Sequence, residues 1–320
     1  MNDKKNDSSL AKVLWYYGLI PGISSLNQKI VCPFHSDVNP SMMVNLQDNS
    51  WFCFGCNLSG DALKFVFLIE KQYHKLNDLQ AYKMYLKILK SDKCKAITIN
   101  PRAAACKPLQ KDLYNEAYDY YHGLAKVDWR NPADKEAEDA KGYMEARGFN
   151  YKALNKCKAK VTYNYSYGII FPMLDNGKFK GWVCRTMRKS IESKRKYLYN
   201  EGFSRATTLV GNYGSKDYVF VVEGYMDRLK FIQFGEENVV AILGWKMSQQ
   251  QIQKLKDKGV TKIISALDND SCGKKGTEYL KNFFEVTRFA YLKGIKDPGD
   301  MSKESFAKMK KKTMQQFYKK

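Results

Sequence analysis

Tyr218-Val-Phe-Val-Val-Glu-Gly-Tyr-Met-Asp-Arg-Leu-Lys-Phe-Ile-Gln-Phe234 decides the fold of the second half of this chain. An apolar run, Tyr218–Val222, ends in an acid and a glycine, and helical periodicity takes over from Met226 to Phe234. A short continuous apolar strand followed at once by a helix is the unit of a parallel sheet covered on both faces. The alternation continues through strand Asn238–Leu243, helix Ser248–Lys258, strand Lys262–Leu267, helix Lys274–Val286 and strand Arg288–Leu292. This order predicts a doubly wound parallel α/β sheet.

Acids stand where these strands end. Glu223 closes the first strand, with Asp227 four residues on; Asp268 and Asp270 follow Lys262–Leu267; Asp297 and Asp300 follow the last strand. The carboxyl ends of the strands in an open parallel sheet line one crevice, so these six groups are expected to converge. Carboxylates packed together repel one another unless a cation sits among them. Hard divalent ions, Mg²⁺ or Mn²⁺, suit an all-oxygen site, and two or more of them bridge the phosphates of a nucleotide or nucleic acid. Helix capping explains Asp227 or Asp300 taken singly, but it does not explain the set.

Upstream of the sheet, Cys32-Pro-Phe-His35 and Cys53-Phe-Gly-Cys56 form a C-x2-H and a C-x2-C pair separated by residues 36–52. Three thiolates and one imidazole, with no position left open, predict one closed structural zinc site. Phe34, Trp51, Phe52 and Phe54 have two readings, as a stacking face for single-stranded DNA or as packing around the metal. The other cysteines, including Cys94, Cys106, Cys157, Cys184 and Cys272, show no ligand spacing, and His74 and His122 have no partner in the pattern.

Between these regions, helical pattern covers Ser9–Gly18, Asp61–Leu89 and Asp112–Arg147. Short strands are expected at Val161–Tyr165, Gly168–Leu174 and Gly181–Met187, with a turn at Asp175-Asn-Gly177. Across the 320 residues, 54 Lys and Arg against 33 Asp and Glu leave a charge of +21, which implies a polyanionic partner, nucleic acid before membrane surface. At 44 % hydrophobic and 27 % charged, global disorder is excluded. No apolar stretch reaches membrane-spanning length, and the N-terminus lacks a cleavage signal, so a cytoplasmic protein with reduced thiols is expected.

Taken together, Cys-Pro-Phe-His-Ser-Asp-Val-Asn-Pro-Ser-Met (32–42) and Trp-Phe-Cys-Phe-Gly-Cys-Asn-Leu-Ser-Gly-Asp-Ala (51–62) resemble the zinc ribbon of bacterial and phage DnaG-type primases. Glu223-Gly-Tyr-Met-Asp227, Asp268-Asn-Asp270 and Lys296-Asp-Pro-Gly-Asp300 resemble the TOPRIM domain of that family. Tyr143-Met-Glu-Ala-Arg-Gly-Phe149, Ile170-Phe-Pro-Met173 and Arg195-Lys-Tyr-Leu198 resemble the basic half of its polymerase core.

The resemblance implies an α/β multidomain chain. It comprises a zinc ribbon domain over 1–95, a linker over 96–110, a mixed α+β basic subdomain over 111–213, a TOPRIM-like parallel sheet over 214–300 and a basic tail over 301–320 that grips DNA. It implies that Glu223, Asp268 and Asp270 are the central metal and catalytic carboxylates, with Asp227, Asp297 and Asp300 in support. It also implies that Arg185, Lys196 and Tyr197 face nucleotide phosphates and template. Arg188, Lys194 and Arg195 add charge nearby, or form a solvated basic face. Asn200 carries over with Tyr199 intervening, one residue late for the family pattern.

The activity so implied is primer synthesis from ribonucleoside triphosphates on a single-stranded DNA template, giving an RNA primer, with a replicative helicase recruited in trans. The ending soon after Asp300 resembles a compact phage or mobile-element version without the helicase-binding domain. Two other readings stand beside it, a TOPRIM nuclease and a non-catalytic replication-initiation factor. A topoisomerase needs a nucleophilic tyrosine on a large separate domain, for which this length leaves no room.

Overall fold

The computed structural model describes residues 8–20, 25–35, 37, 39–91, 107–163, 167–187 and 196–319. Arg188, Lys194, Arg195, Cys94, Cys106 and most of the expected linker lie outside the described residues. The chain divides into two compact units: residues 1–117 with 200–204, and residues 118–199 with 205–320.

The first unit opens with α1 (Ser9–Tyr16), which the Ser8 hydroxyl caps. Four antiparallel strands follow in the order β1 (Asn27–Ile30), β2 (Met42–Asn45), β3 (Ser50–Cys53) and β4 (Ser59–Asp61). Asp61 accepts from the Lys64 N–H at 2.8 Å and starts α2 (Ala62–Ile69). A π-helical turn, Glu70–His74, interrupts the expected long helix before α3 (Asp78–Leu89), which a capping box of Asn77 and Gln80 begins. Glu70 is buried in that turn, where it accepts from the Tyr17 hydroxyl at 2.5 Å and pairs with His74 Nδ1 at 2.8 Å. His74 thus has a structural partner that the pattern did not reveal. One core joins Leu10, Val13, Leu14, Phe34, Trp51, Phe65 and Ile69. Phe34 and Trp51 therefore pack inside the unit, while Phe54 is exposed.

Helix α4 (Lys107–Gly123) runs from the first unit into the second, which continues with α5 (Lys135–Ala146) and α6 (Tyr151–Lys156). An antiparallel sheet is built from β5 (Lys160–Thr162), β6 (Gly168–Asp175), β7 (Lys178–Thr186) and β8 (Tyr197–Tyr199). The Asn176-Gly177 turn between β6 and β7 has both residues at positive φ, as a tight hairpin requires. Asp175 is buried at that hairpin, where it accepts from the Tyr213 hydroxyl at 2.7 Å and pairs with Lys254.

The parallel sheet has the order β10 (Val239–Ala241), β9 (Tyr218–Val222), β11 (Lys262–Ser265), β12 (Glu285–Arg288). Helices α7 (Tyr225–Gln233), α8 (Gln249–Asp257) and α9 (Ser271–Leu280) make its crossovers. Val219 to Val222 are completely buried, as a strand covered on both faces demands. From β9 the chain steps to one side for β10 and to the other for β11, so the order reverses between β9 and β11. That is where an open sheet leaves a crevice.

Two expectations are corrected here. The last crossover helix begins at Ser271 because Asp270 caps it, and the final strand is Glu285–Arg288 rather than Arg288–Leu292. Phe283 and Phe284 continue the apolar spacing of the helix, which hid its end; the pairing of Val286 with Ile263 decides the strand. Within the expected basic tail, residues 303–317 are helical. Helix α10 (Lys303–Phe317) buries Phe306, Met309, Thr313 and Phe317, and Phe306 meets Phe231 at 5.1 Å and Phe234 at 5.2 Å.

Candidate metal centres

The first centre grows from the four-stranded sheet. Cys32 follows β1 and Cys53 ends β3, while short turns deliver His35 and Cys56. The ligand atoms of Cys32, His35, Cys53 and Cys56 all lie within 4.8 Å of one another, with 3.9 Å between the Cys32 and Cys56 sulfurs. All three cysteines are wholly buried. The Phe34 N–H approaches the Cys32 sulfur at 3.4 Å and the Gly55 N–H approaches the Cys53 sulfur at 3.3 Å, contacts that favour thiolate. Asp37 organises the first knuckle, accepting from the Cys32 N–H at 2.9 Å and the Ser41 hydroxyl at 2.7 Å. A Cβ at Gly55 would lie 2.4 Å from His35 Nε2, so only glycine lets the ring take this place.

Without a cation, burial pushes the Cys32 thiol far up, while hydrogen bonds from Cys32 and Cys56 hold Cys53 low. Three such thiols cannot all ionise alone, but a bound metal ion removes that conflict. The donor set fits a four-coordinate structural ion with no open position.

The second centre lies at the sheet's switch point. Glu223 leaves the end of β9, and its Oε1 accepts from the Asp268 N–H at 3.2 Å, which ties the ends of β9 and β11 together. Asp227 caps α7 by accepting from the Gly224 N–H at 2.8 Å, and Asp270 caps α9 through the Gly273 N–H at 2.8 Å. Asp300 closes the 3-10 turn Pro298–Asp300. Capping does not exhaust the set, because Asp268 Oδ1 is buried without any hydrogen-bond partner.

Three of these acids are shifted by burial and by their acidic neighbours. Burial, then Asp268 and Asp270, pushes Glu223 up to about 7. Burial and Asp268 push Asp227 up to about 8, with Asp297 and Glu223 adding to it. Burial raises Asp268 to about 6, with Asp297, Asp270 and Asp300 contributing. Each of the other five predicted carboxylates therefore interacts electrostatically with Asp268. An orphaned carboxylate oxygen among mutually repelling acids is the donor set a hard divalent cation fits.

Arg288 supports the turn that carries Asp268 and Asp270, donating to the Asp268 carbonyl at 3.2 Å and to Thr277 Oγ1 at 2.9 Å. The sequence shows it only as part of a strand.

The predicted nucleotide-facing residues divide. Lys196 is exposed at the start of β8, and Tyr197 lies within the electrostatic reach of Asp227 and Arg147. Arg185 does not face solvent. It is 2 % exposed, with its guanidinium 5.0 Å from the Tyr197 ring centroid and its Nε donating to the Tyr143 hydroxyl at 2.8 Å. Arg185 is therefore buried between Tyr143 and Tyr197. Asn200 is also buried, and its amide donates to the Glu201 carbonyl at 2.8 Å.

Arg147, absent from the predicted set, is exposed beside this region. Gly148 at φ 75 turns the chain there, and Lys230 and Gln233 hold the Gly148 carbonyl, each at 2.9 Å. The Tyr143–Phe149 stretch contained the signal for it.

Comparison with known proteins agrees with both centres. Residues 23–95 match the CHC2 zinc finger family and residues 220–302 match the Toprim-like family. A DNA primase of Clostridium acetobutylicum is 28 % identical over 319 residues, covering 88 % of this chain and 52 % of its own length. A DNA primase of Aquifex aeolicus is 29 % identical, covering 78 % and 54 %. The chain spans about half the length of the curated relatives it matches. In fold it is similar to the crystal structure of the zinc-binding and RNA polymerase domains of the Aquifex aeolicus primase. The TM-score is 0.51 at 20 % identity, over 97 % of this chain and 85 % of that one. Among the described residues, no helix is long and apolar enough to cross a membrane.

Proposed function

We propose, from the likeness to DnaG-type DNA primases in both centres, that this chain synthesises short RNA primers on single-stranded DNA from ribonucleoside triphosphates. The observation that carries the reading is the six-carboxylate crevice at the switch point, with Asp268 Oδ1 buried and unpaired. Cys32, His35, Cys53 and Cys56 would hold one structural Zn²⁺. Glu223, Asp268 and Asp270 would hold Mg²⁺ or Mn²⁺, with Asp227, Asp297 and Asp300 in support. Bound there, divalent ions supply charge neutralisation for the triphosphate and lower the pKa of a coordinated hydroxyl.

The chain's own residues do the rest. In the proposed step, the 3′-hydroxyl oxygen of one ribonucleotide bonds to the α-phosphorus of the next, the α–β bridging bond breaks, and pyrophosphate leaves. The hydroxyl proton passes to solvent water. Lys196 and Arg147 offer cations to the phosphates, and Tyr197, fixed against Arg185, gives the strand a rigid wall. The positive surface of the chain holds the template, and a replicative helicase acts in trans.

The test is incubation of the purified protein with mixed-sequence single-stranded DNA, labelled ribonucleotides and Mg²⁺ or Mn²⁺, beside Asp268→Asn. Short labelled RNAs that need template, and fall at least a hundredfold in the variant, are expected. Template degradation without new RNA would replace the reading with a nuclease. Tight DNA binding without either activity would replace it with an initiation factor.

A further inference from the structure

Of the five tryptophans, Trp51, Trp129 and Trp182 are buried and Trp15 packs against the first unit's core, but Trp245 is 45 % exposed. Among the described residues its indole neither meets another ring nor donates its N–H. A large aromatic left unspent is an anomaly only if its place matters, and here it does. The backbone leading to it runs along the catalytic strand, with Ile242 N–H donating to the Val222 carbonyl at 3.1 Å and Leu243 N–H to the Glu223 carbonyl at 2.8 Å.

Leu243 then takes a left-handed conformation, φ 60, which an ordinary side chain rarely adopts. The kink turns the Leu243 side chain into the core and leaves Trp245 outside. The backbone at Trp245 is not loose. A Cβ at Gly276 of α9 would lie 2.2 Å from the Trp245 carbonyl oxygen, so the glycine allows close seating of the loop on the helix that Asp270 caps. Lys246 sits 4.2 Å over the Tyr279 ring, and Lys274 and Lys275 are exposed on the first turn of the same helix. An exposed indole on a closely seated backbone, two residues beyond the Leu243–Glu223 hydrogen bond at the carboxyl edge of the sheet and with lysines on its loop and on α9, has the parts of a base-stacking site.

We propose that Trp245 is a stacking platform for a nucleobase at the rim of the acidic crevice. This rests on the proposed polymerase reading, since it supplies the base whose phosphates the crevice handles. The base comes from a polynucleotide strand or from a free ribonucleotide, and the ligands used in the test separate the two.

Full-length wild type, Trp245→Ala and Trp245→Phe are compared for binding of fluorescein-labelled oligodeoxythymidylate and of ATP with Mg²⁺. Trp245→Ala is expected to weaken one of them about tenfold, while Trp245→Phe, which keeps a flat ring, stays within about threefold of wild type. Loss on the oligonucleotide assigns a strand base; loss on ATP assigns the incoming nucleotide. Unchanged affinity for both overturns the proposal. Should Trp245→Ala not fold, tryptophan fluorescence decides through the difference between wild type and Trp245→Phe. Quenching by one ligand that depends on Trp245 is expected, and no such difference on either overturns the platform. Because these readouts need no synthesis, template-dependent RNA with unaltered Trp245→Ala binding removes the platform alone. Absent synthesis with Trp245-dependent quenching removes the polymerase reading alone.

Discussion

At the residue scale, the crevice stores a conflict that only a cation resolves. Asp268, Glu223 and Asp227 are raised to about 6, 7 and 8, against about 4 for carboxyls in an unfolded chain. A carboxyl raised on folding binds its proton more tightly in the folded state, so stability is highest below the unfolded value and falls as pH climbs through the folded one. The protein without added Mg²⁺ is therefore expected to lose stability progressively between about pH 4 and 8. Asp268→Asn, which removes one buried acid and relieves its neighbours, should melt a few degrees above wild type at pH 8 and close to it only near pH 4. Thermal melts across this range check the sign, and added Mg²⁺ should close the gap by stabilising wild type. A variant no more stable at pH 8 than wild type would mean that Asp268 is not strained in the metal-free crevice.

Elements were legible to different depths. Strand Tyr218–Val222 was readable because both faces are covered and every position is apolar, and Lys262–Ser265 because Ile263 and Ile264 continue into Ala266 and Leu267. The end of α9 was not, since Phe283 and Phe284 satisfy helical spacing although the chain has already turned. The basic run Lys308–Lys312 hid α10 in another way, because its charges lie on the solvent side of a helix whose other side packs in the core. Phe306 is 3 % exposed among Phe231, Phe234 and Phe289, so Phe306→Ala should destabilise the protein by about 3–5 kcal/mol. Denaturant unfolding measures this, and a loss under about 1 kcal/mol would return residues 303–317 to the status of a peripheral arm.

For the whole molecule, the dominant quantity is a net charge of +21. If phosphates supply most of the affinity for single-stranded DNA, each neutralised phosphate releases a counterion. Six contacts would then give a loss of at least about a hundredfold between 50 and 200 mM salt. Anisotropy titrations at several salt concentrations test this, and a flat response would assign binding to stacking instead.

Composition and strand patterning determined by themselves the fold class, the spacing of Cys32, His35, Cys53 and Cys56 their clustering, and the strand ends pointed to the acids as a second centre. These features are local in the chain or follow from the direction of a parallel sheet. Tertiary structure alone decided that Arg185 and Asn200 are buried, that Arg288 holds the turn carrying Asp268, and that Asp268 Oδ1 has no partner. Which charge meets solvent and which meets a neighbouring ring depends on packing between strands and helices far apart in sequence, and no local pattern encodes that.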